Sequence, residues 1–190
     1  MKRILCDREF SFYLKYFSWG DTIGHHKNGT SDGYSFNGAN YDARLSGSGY
    51  LLGVNIPQGD ATYDAATANM GSLWKMPTKD QFQELIDGTN RTWTSINGVN
   101  GRKFTNKSDS TKYIFLPAAG WYDNTTHNVA GSNGLSWSTT WYTSAFAWSL
   151  IFRSNSVLTD YGYRTTGRSV RAIQIISFKV LIRKSNLIFK

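Results

Sequence analysis

The feature that most constrains the fold of this 190-residue chain is the order of its secondary-structure signals. Two helix signals lie between residues 60 and 88, and short strands separated by turn residues follow them. Strands that do not alternate with helices argue against repeated β–α–β units and a parallel sheet. The sequence therefore predicts a single α+β domain in which two helices pack on a small, twisted antiparallel sheet with long loops.

The first predicted helix covers residues 60–69, which are rich in alanine. An acid at its start suits the positive end of the helix dipole, and Gly71 provides a stop. Asp60 and Asp64 are four positions apart, so in this helix they share one face. We expect that face to be solvated, and we do not expect the two carboxylates to form an acid/base pair.

The second predicted helix has clearer local signals. Thr78 and Gln81 have the spacing of a capping box, and Gly88 marks the end of the helix. Three apolar residues fall on one helical face, and they are Phe82, Leu85 and Ile86.

Short strands and turns account for most of the remaining chain. Residues 20–59 contain many glycines and are predicted to form long, turn-rich loops. Asn97-Gly98 and Asn100-Gly101 are turn dipeptides. Strands are predicted at residues 92–96, 102–105, 113–116, 134–138, 145–152 and 169–176.

The formal net charge of +8 is unevenly distributed. Residues 177–190 contain four basic residues and no acid, whereas residues 11–100 hold more acids than bases. A solvated basic tail explains this pattern without a phosphate-binding groove, so we expect no nucleic-acid partner. No run of apolar residues is long enough for a membrane-spanning helix, and charges interrupt any signal peptide at the start of the chain.

Several motifs suggest chemistry but lack the required context. Cys6 is the single cysteine, which excludes an internal disulfide framework and a multi-cysteine zinc site. The G-x-S-x-G match at residues 29–33 lacks the strand and helix that a nucleophilic serine needs. Gly47-Ser48-Gly49 lacks the third glycine of a dinucleotide-binding loop, and the adjacent His25 and His26 fit a solvated loop better than a metal site. We expect no catalytic residue, no metal and no cofactor.

Four groups of residues together point to one family. They are residues 17–21 (FSWGD), residues 64–66 (DAA) leading to 71–85 (GSLWKMPTKDQFQEL), residues 114–120 (IFLPAAG), and residues 137–140 (WSTT) continuing to 167–171 (GRSVR). In this order and spacing the chain resembles the Fibrobacter succinogenes major paralogous domain. The resemblance implies a C-type-lectin-like fold, shared with formylglycine-generating enzymes and with variable proteins of diversity-generating retroelements. It assigns residues 17–176 to the domain, leaves residues 1–16 unassigned, and makes residues 177–190 a basic-apolar extension.

The resemblance also divides residues 134–171 into two classes. In retroelement variable proteins this stretch holds the diversified ligand face. The candidate ligand-binding residues here are Trp141, Tyr142, Phe146, Trp148, Ile151, Arg153, Asp160, Tyr161, Tyr163, Thr165, Thr166 and Arg168. The structural framework includes Trp137, Arg164, Gly167 and Arg171 within this stretch, and Trp74 and Pro77 before it. We expect Arg164 and Arg171 to bond carbonyls or carboxylates.

These observations predict a non-enzymatic domain that recognises a protein or glycan ligand at a gut-bacterial or phage surface, through residues 134–168. Aromatic residues and arginine dominate binding hot spots, which favours this function. The alternatives are ordinary packing of strands with exposed aromatics, and a structural module of a larger surface lipoprotein or phage tail. The single cysteine argues against formylglycine-type catalysis. The Glu-Pro-Asn and Trp-Asn-Asp motifs of calcium-dependent sugar sites are absent.

Overall fold

A computed structural model of the chain describes residues 15–45, 51 and 53–174. Within them the chain forms three α-helices, α1 (Gly38–Leu45), α2 (Ala65–Met70) and α3 (Lys79–Gly88). The predicted C-terminal extension, Cys6, the Gly47–Gly49 motif and nearly all of the unassigned N-terminal segment lie outside the described residues.

Ten short strands accompany the helices in the described part of the chain, and every strand pairing is antiparallel. The strands are β1 (Trp74–Lys75), β2 (Thr89–Ile96), β3 (Val99–Asn106), β4 (Tyr113–Pro117), β5 (Trp121–Asp123), β6 (Thr126–Asn128), β7 (Gly134–Trp141), β8 (Phe146–Phe152), β9 (Val157–Tyr163) and β10 (Ile173–Gln174). They form four small sheets, with the orders β1-β10, β2-β3-β4, β5-β6 and β7-β8-β9. The α+β class is confirmed, but several small sheets replace the one predicted sheet.

The first predicted helix begins later than its composition indicated. Asp64 is the N-cap of α2, and residues 60–63 form turns before it. The Asp64 side chain is fully buried, so the prediction that it lies on a solvated face is wrong. Its carboxylate accepts hydrogen bonds from the backbone N–H groups of Gly59, Ala66, Thr67 and Met76. The carboxylate thus joins the start of α2 to the segment between β1 and α3.

The second predicted helix is confirmed as α3. Thr78 and Gln81 form the capping box, and the helix ends at Gly88, where Thr89 continues directly into β2. The three apolar residues of α3 are all buried. By contrast, α1 was not predicted, because it lies in a segment whose glycine and asparagine content indicated loops.

Two turn predictions had opposite outcomes. Asn97 and Gly98 both have positive φ and join β2 to β3, as an Asn-Gly hairpin requires. Asn100-Gly101 is not a turn, because both residues lie inside β3. A Cβ atom at Gly101 would collide with the Leu116 carbonyl oxygen and the Phe115 ring, so the glycine permits close approach of β4.

Two core clusters lie on opposite faces of the β7-β8-β9 sheet. One contains Trp19, Met76, Trp137 and Ala147 and is covered by α2 and by residues 17–19. The other places the buried face of α3 against β3, β4 and β8. Helix α3 covers only part of its side of the sheet, and the uncovered part is the surface described below.

Two buried arginine–tryptophan pairs join the segment after β9 to this core. The Arg164 guanidinium lies 4.5 Å above the Trp19 ring, and that of Arg168 lies 4.4 Å above Trp137. The Trp19 indole donates to the Ser138 carbonyl, and the Trp137 indole donates to the Phe17 carbonyl, both at 2.8 Å. Residues distant in sequence are therefore connected by side chains rather than by regular strands.

Candidate ligand-binding surface

The uncovered part of the sheet is defined by the register of β8 and β9. Phe146 lies opposite Tyr163, and Trp148 lies opposite Tyr161. Directly opposed residues of an antiparallel pair project from the same face. Four aromatic side chains therefore emerge together.

Farther along the same face, the environment changes from solvent to core. Leu150 and Phe152 alternate with Ala147, Ser149 and Ile151 and are buried in the cluster beneath α3. Lys79, the first residue of α3, places its Nζ atom 3.6 Å above the Trp148 ring. The start of α3 thus marks the boundary between the covered and uncovered parts.

Tyr142, from the connection between β7 and β8, completes a continuous group of rings. Its ring centroid is 4.5 Å from that of Tyr161 and 5.2 Å from that of Trp148. Phe146 lies 5.4 Å from Tyr161 and 4.5 Å from Tyr163. We call Tyr142, Phe146, Trp148, Tyr161 and Tyr163 the aromatic surface.

The aromatic surface is open to solvent. Tyr142, Tyr161 and Tyr163 are 39%, 44% and 59% exposed, and Phe146 and Trp148 are half-buried. Aromatic rings offer large, rigid contact area with little loss of side-chain entropy on binding. The tyrosines add hydroxyl groups that can donate or accept hydrogen bonds. This arrangement can stack on apolar groups of a ligand while bonding its polar groups.

Four other candidate residues take no part in the ring contacts. Trp141 is half-buried and packs against the cluster that contains Trp137. Arg153 is exposed at the turn between β8 and β9. The Asp160 carboxylate accepts the backbone N–H of Tyr161 at 2.8 Å. Thr165 is half-buried, and its backbone carbonyl accepts a hydrogen bond from the Ser18 hydroxyl.

The prediction of displayed side chains is wrong for Ile151, Thr166 and Arg168, which are all buried. Ile151 alternates to the opposite face of β8, and the Thr166 hydroxyl donates to the Tyr163 carbonyl. The Arg168 Nη1 atom donates to the Ser149 hydroxyl at 2.6 Å. Burial lowers the Arg168 pKa to about 10, although the charge of Asp160 opposes that change.

The proposed framework residues occupy structural positions. Arg164 donates through Nη1 to the Ser144 carbonyl, and the Pro77 carbonyl accepts the Thr139 N–H. Gly167 abuts the Phe36 ring, where a Cβ would collide. Two others lie at the edge of the core: Trp74 packs on the Trp137 cluster, and Arg171 donates its backbone N–H to Ser136.

A histidine cluster lies elsewhere in the fold, and the sequence analysis missed it. His26 is fully buried, which contradicts the predicted solvated loop. Its ring stacks with Tyr122 at 4.4 Å, and His127 also stacks with Tyr122 at 4.3 Å. The His25 Nδ1 atom lies 3.0 Å from the Asp32 carboxylate. No local signal could have revealed this cluster, because it joins residues about a hundred positions apart.

Hydrogen bonds set the direction of the pKa shift of Asp32, which lies beside His25 and His26. Burial acts to raise the pKa of Asp32, but bonds from the Tyr34 backbone, the His25 ring and the His26 backbone outweigh it and lower the pKa. The Tyr122 hydroxyl donates to the Gly29 carbonyl. These contacts hold the loop before α1 against the β5-β6 hairpin, so the histidine cluster has a structural role.

The described residues contain no group of three or more His, Cys, Asp or Glu side chains that could hold a metal ion. In the same part of the chain, no helix is long and apolar enough to cross a membrane.

Fold and surface together define an α+β domain that presents a cluster of exposed aromatic rings. A family model described as a domain of unknown function (DUF8237) matches residues 85–173. The match runs from α3 to β10 and includes the whole aromatic surface. Searches of curated proteins and of solved structures find no match.

Proposed function

We propose that this chain is a non-enzymatic ligand-recognition domain of a gut-bacterial or phage surface protein, and that the aromatic surface binds a protein or glycan. The observation that carries the proposal is the contact of five partly exposed rings on a face that α3 leaves uncovered. Binding would bury these rings against the ligand, while surrounding polar groups exclude water.

We also propose that the fold is C-type-lectin-like, in keeping with the resemblance to the Fibrobacter succinogenes major paralogous domain. The location of the family-like segments supports this proposal. Trp19, Met76 and Trp137 come from three of those segments and meet in one buried cluster. Segments that specify a shared fold are expected to supply its core, because core packing tolerates change least.

Alanine substitutions test recognition by the aromatic surface. The probes are a glycan array and a panel of intact gut-bacterial cells, both screened with the full chain. We expect Trp148→Ala and Tyr161→Ala each to reduce capture by at least about tenfold, because truncating a central aromatic anchor costs about 2 kcal/mol or more. Both variants should keep nearly the wild-type melting temperature, since neither ring is fully buried.

Tyr113→Ala provides the matched control. Tyr113 is 39% exposed, like Tyr142, but lies on β4, in a different sheet. We expect capture by this variant to equal that of the unchanged chain. Equal losses in all three variants, or unfolding of Trp148→Ala and Tyr161→Ala, would count against the aromatic surface and favour core packing.

The sharper form of the proposal is that retroelement mutagenesis diversifies this surface. Alternating burial along β8 supports it, since exposed positions can change without disturbing the core. Sequencing the codons for residues 130–175 across the source population should show substitutions concentrated at Tyr142, Phe146, Trp148 and Tyr161. Codons for buried residues, such as Trp137, Leu150 and Phe152, should stay constant. Uniform or silent variation would refute diversification but leave a fixed binding surface possible.

A further inference from the structure

Strand β9 is an outer strand of its sheet. It pairs with β8 on one side, and the described residues form no strand pairing or isolated bridge on its other side. Leu158, Tyr161 and Tyr163 are exposed along it. An unpaired strand edge presents backbone donors and acceptors that can pair with another chain.

Hydrogen bonds at the two ends of the β8–β9 pair show which backbone groups point outward. The backbone N–H of Arg153 donates to the Ser156 carbonyl, and the backbone N–H of Arg164 donates to the Ala145 carbonyl. Hydrogen-bonded pairs alternate along an antiparallel ladder, so residues 158, 160 and 162 direct their backbone groups toward β8. The N–H and C=O groups of residues 157, 159, 161 and 163 therefore face away from β8.

Some of these outward groups are already occupied. The Tyr163 carbonyl accepts from the Thr166 N–H and hydroxyl, and the Tyr161 N–H donates to the Asp160 carboxylate. Within the described chain, no hydrogen bond involves the outward groups of Val157 and Thr159 or the Tyr161 carbonyl. The open part of the edge is thus centred on Thr159.

The usual protection against strand addition is weak here. Native edges are commonly blocked by lysine, proline or a bulge. Strand β9 contains no lysine or proline, and its register with β8 is continuous. Its one charged residue is Asp160.

We propose that a second copy of this chain pairs with β9, antiparallel, about a two-fold axis through Thr159. In this register the two Thr159 residues face each other, Val157 faces the second copy's Tyr161, and Leu158 faces the second copy's Asp160. Thr–Thr and aromatic–β-branched pairs are favourable across strands. A neighbouring register centred on Asp160 would set two carboxylates opposite each other. One centred on Tyr161 would need the Tyr163 carbonyl, which already accepts two hydrogen bonds. The Thr159 register needs only the Tyr161 N–H to leave the adjacent Asp160 carboxylate.

The symmetry of this dimer has a functional consequence, which rests on the proposed function. A two-fold axis perpendicular to a continuous sheet leaves equivalent faces on the same side. Two β7-β8-β9 sheets would form one six-stranded sheet, with both aromatic surfaces on the same side. The two surfaces would be offset along the strands, because Tyr161 of each copy lies opposite Val157 of the other. A ligand with repeated binding groups could then contact both copies and gain avidity.

Net charge provides a test specific to self-association. Two copies that each carry a net charge of +8 repel each other. Salt screens that repulsion, while the pairing groups at β9 are mainly uncharged. Dimerisation should therefore strengthen as NaCl rises from about 0.05 M to about 0.5 M, because the screening length falls severalfold.

A charge-swap experiment tests the partner and the register together. Because the axis passes through Thr159, Thr159→Lys places two lysines opposite each other, and Thr159→Asp places two aspartates opposite each other. We expect either variant alone to dimerise at least about tenfold more weakly than the unchanged chain, because directly opposed like charges destabilise strand pairing. An equimolar mixture of the two should form a heterodimer.

Sedimentation velocity on the full chain at concentrations up to about 200 μM measures these effects without any ligand, since dissociation constants in the micromolar range are then accessible. Melting temperatures check folding. Thr94→Lys and Thr94→Asp, on the outer strand β2, are the controls and should behave like the unchanged chain. A monomeric unchanged chain would overturn the proposal, as would a mixture that fails to associate. Ligand capture by the aromatic surface is measured separately, so each proposal can fail independently.

Discussion

Replacing Asp64 with alanine should lower the free energy of unfolding by about 3 to 5 kcal/mol, because buried backbone donors would lose a charged acceptor. The Asp64 carboxylate is fully buried and accepts four backbone N–H groups. Alanine would remove the N-cap of α2 and also the bond to Met76, which precedes α3. Chemical denaturation followed by circular dichroism would measure the loss.

Two further variants separate hydrogen bonding from packing at this position. Asp64→Asn has nearly the same volume, but its amide group would direct donors toward backbone donors, so we expect a large part of the loss to remain. Asp60→Ala removes a partly exposed carboxylate from the turn before α2 and should be far milder. A stable Asp64→Asn variant would show that shape, rather than accepted hydrogen bonds, makes this position important.

Replacing Trp137 with alanine should cost about 3 to 5 kcal/mol of stability, because it leaves a large cavity in a close-packed core. Trp137 is fully buried, its indole donates to the Phe17 carbonyl, and the Arg168 guanidinium stacks on its ring. Without the ring, Arg168 would lose its stacking partner while remaining buried. Thermal unfolding should therefore occur at a much lower temperature.

Trp148→Ala is the control for this effect. Both tryptophans lie in the β7-β8-β9 sheet, but Trp148 is only half-buried and belongs to the aromatic surface. We expect a small change in melting temperature for Trp148→Ala and a large one for Trp137→Ala. Similar losses in both would mean that the aromatic surface contributes to the core and would weaken its assignment to ligand binding.

Local signals predicted the elements whose cause is local. The capping box of α3 and the Asn-Gly turn between β2 and β3 depend on neighbouring residues, and both were confirmed. The start of α2 was placed too early. The Asp64 carboxylate caps the helix, and it also accepts hydrogen bonds from the backbone N–H groups of Gly59 and Met76, which lie outside the helix. The sequence analysis did not predict strand β9, because its pairing with β8, rather than a local pattern, makes this segment a strand.

The candidate surface was located more coarsely. The stretch of residues 134–168 contains the whole aromatic surface, and the resemblance to retroelement variable proteins indicated this stretch. Alternation along the strand places Trp148 and Ile151 on opposite faces, but it does not say which parts of each face other elements cover. Arg168 carried the residue type of a binding hot spot, yet the structure buries it between Trp137 and Ser149.

The sequence by itself determined the α+β class and the capped helix α3. Periodicity and caps act over a few residues, so a chain expresses them before any tertiary contact forms. The tertiary structure alone decided which rings stay exposed, where Asp64 finds its donors and how three histidines and Tyr122 meet. Those outcomes depend on which elements pack together, because burial is a property of the assembled layers.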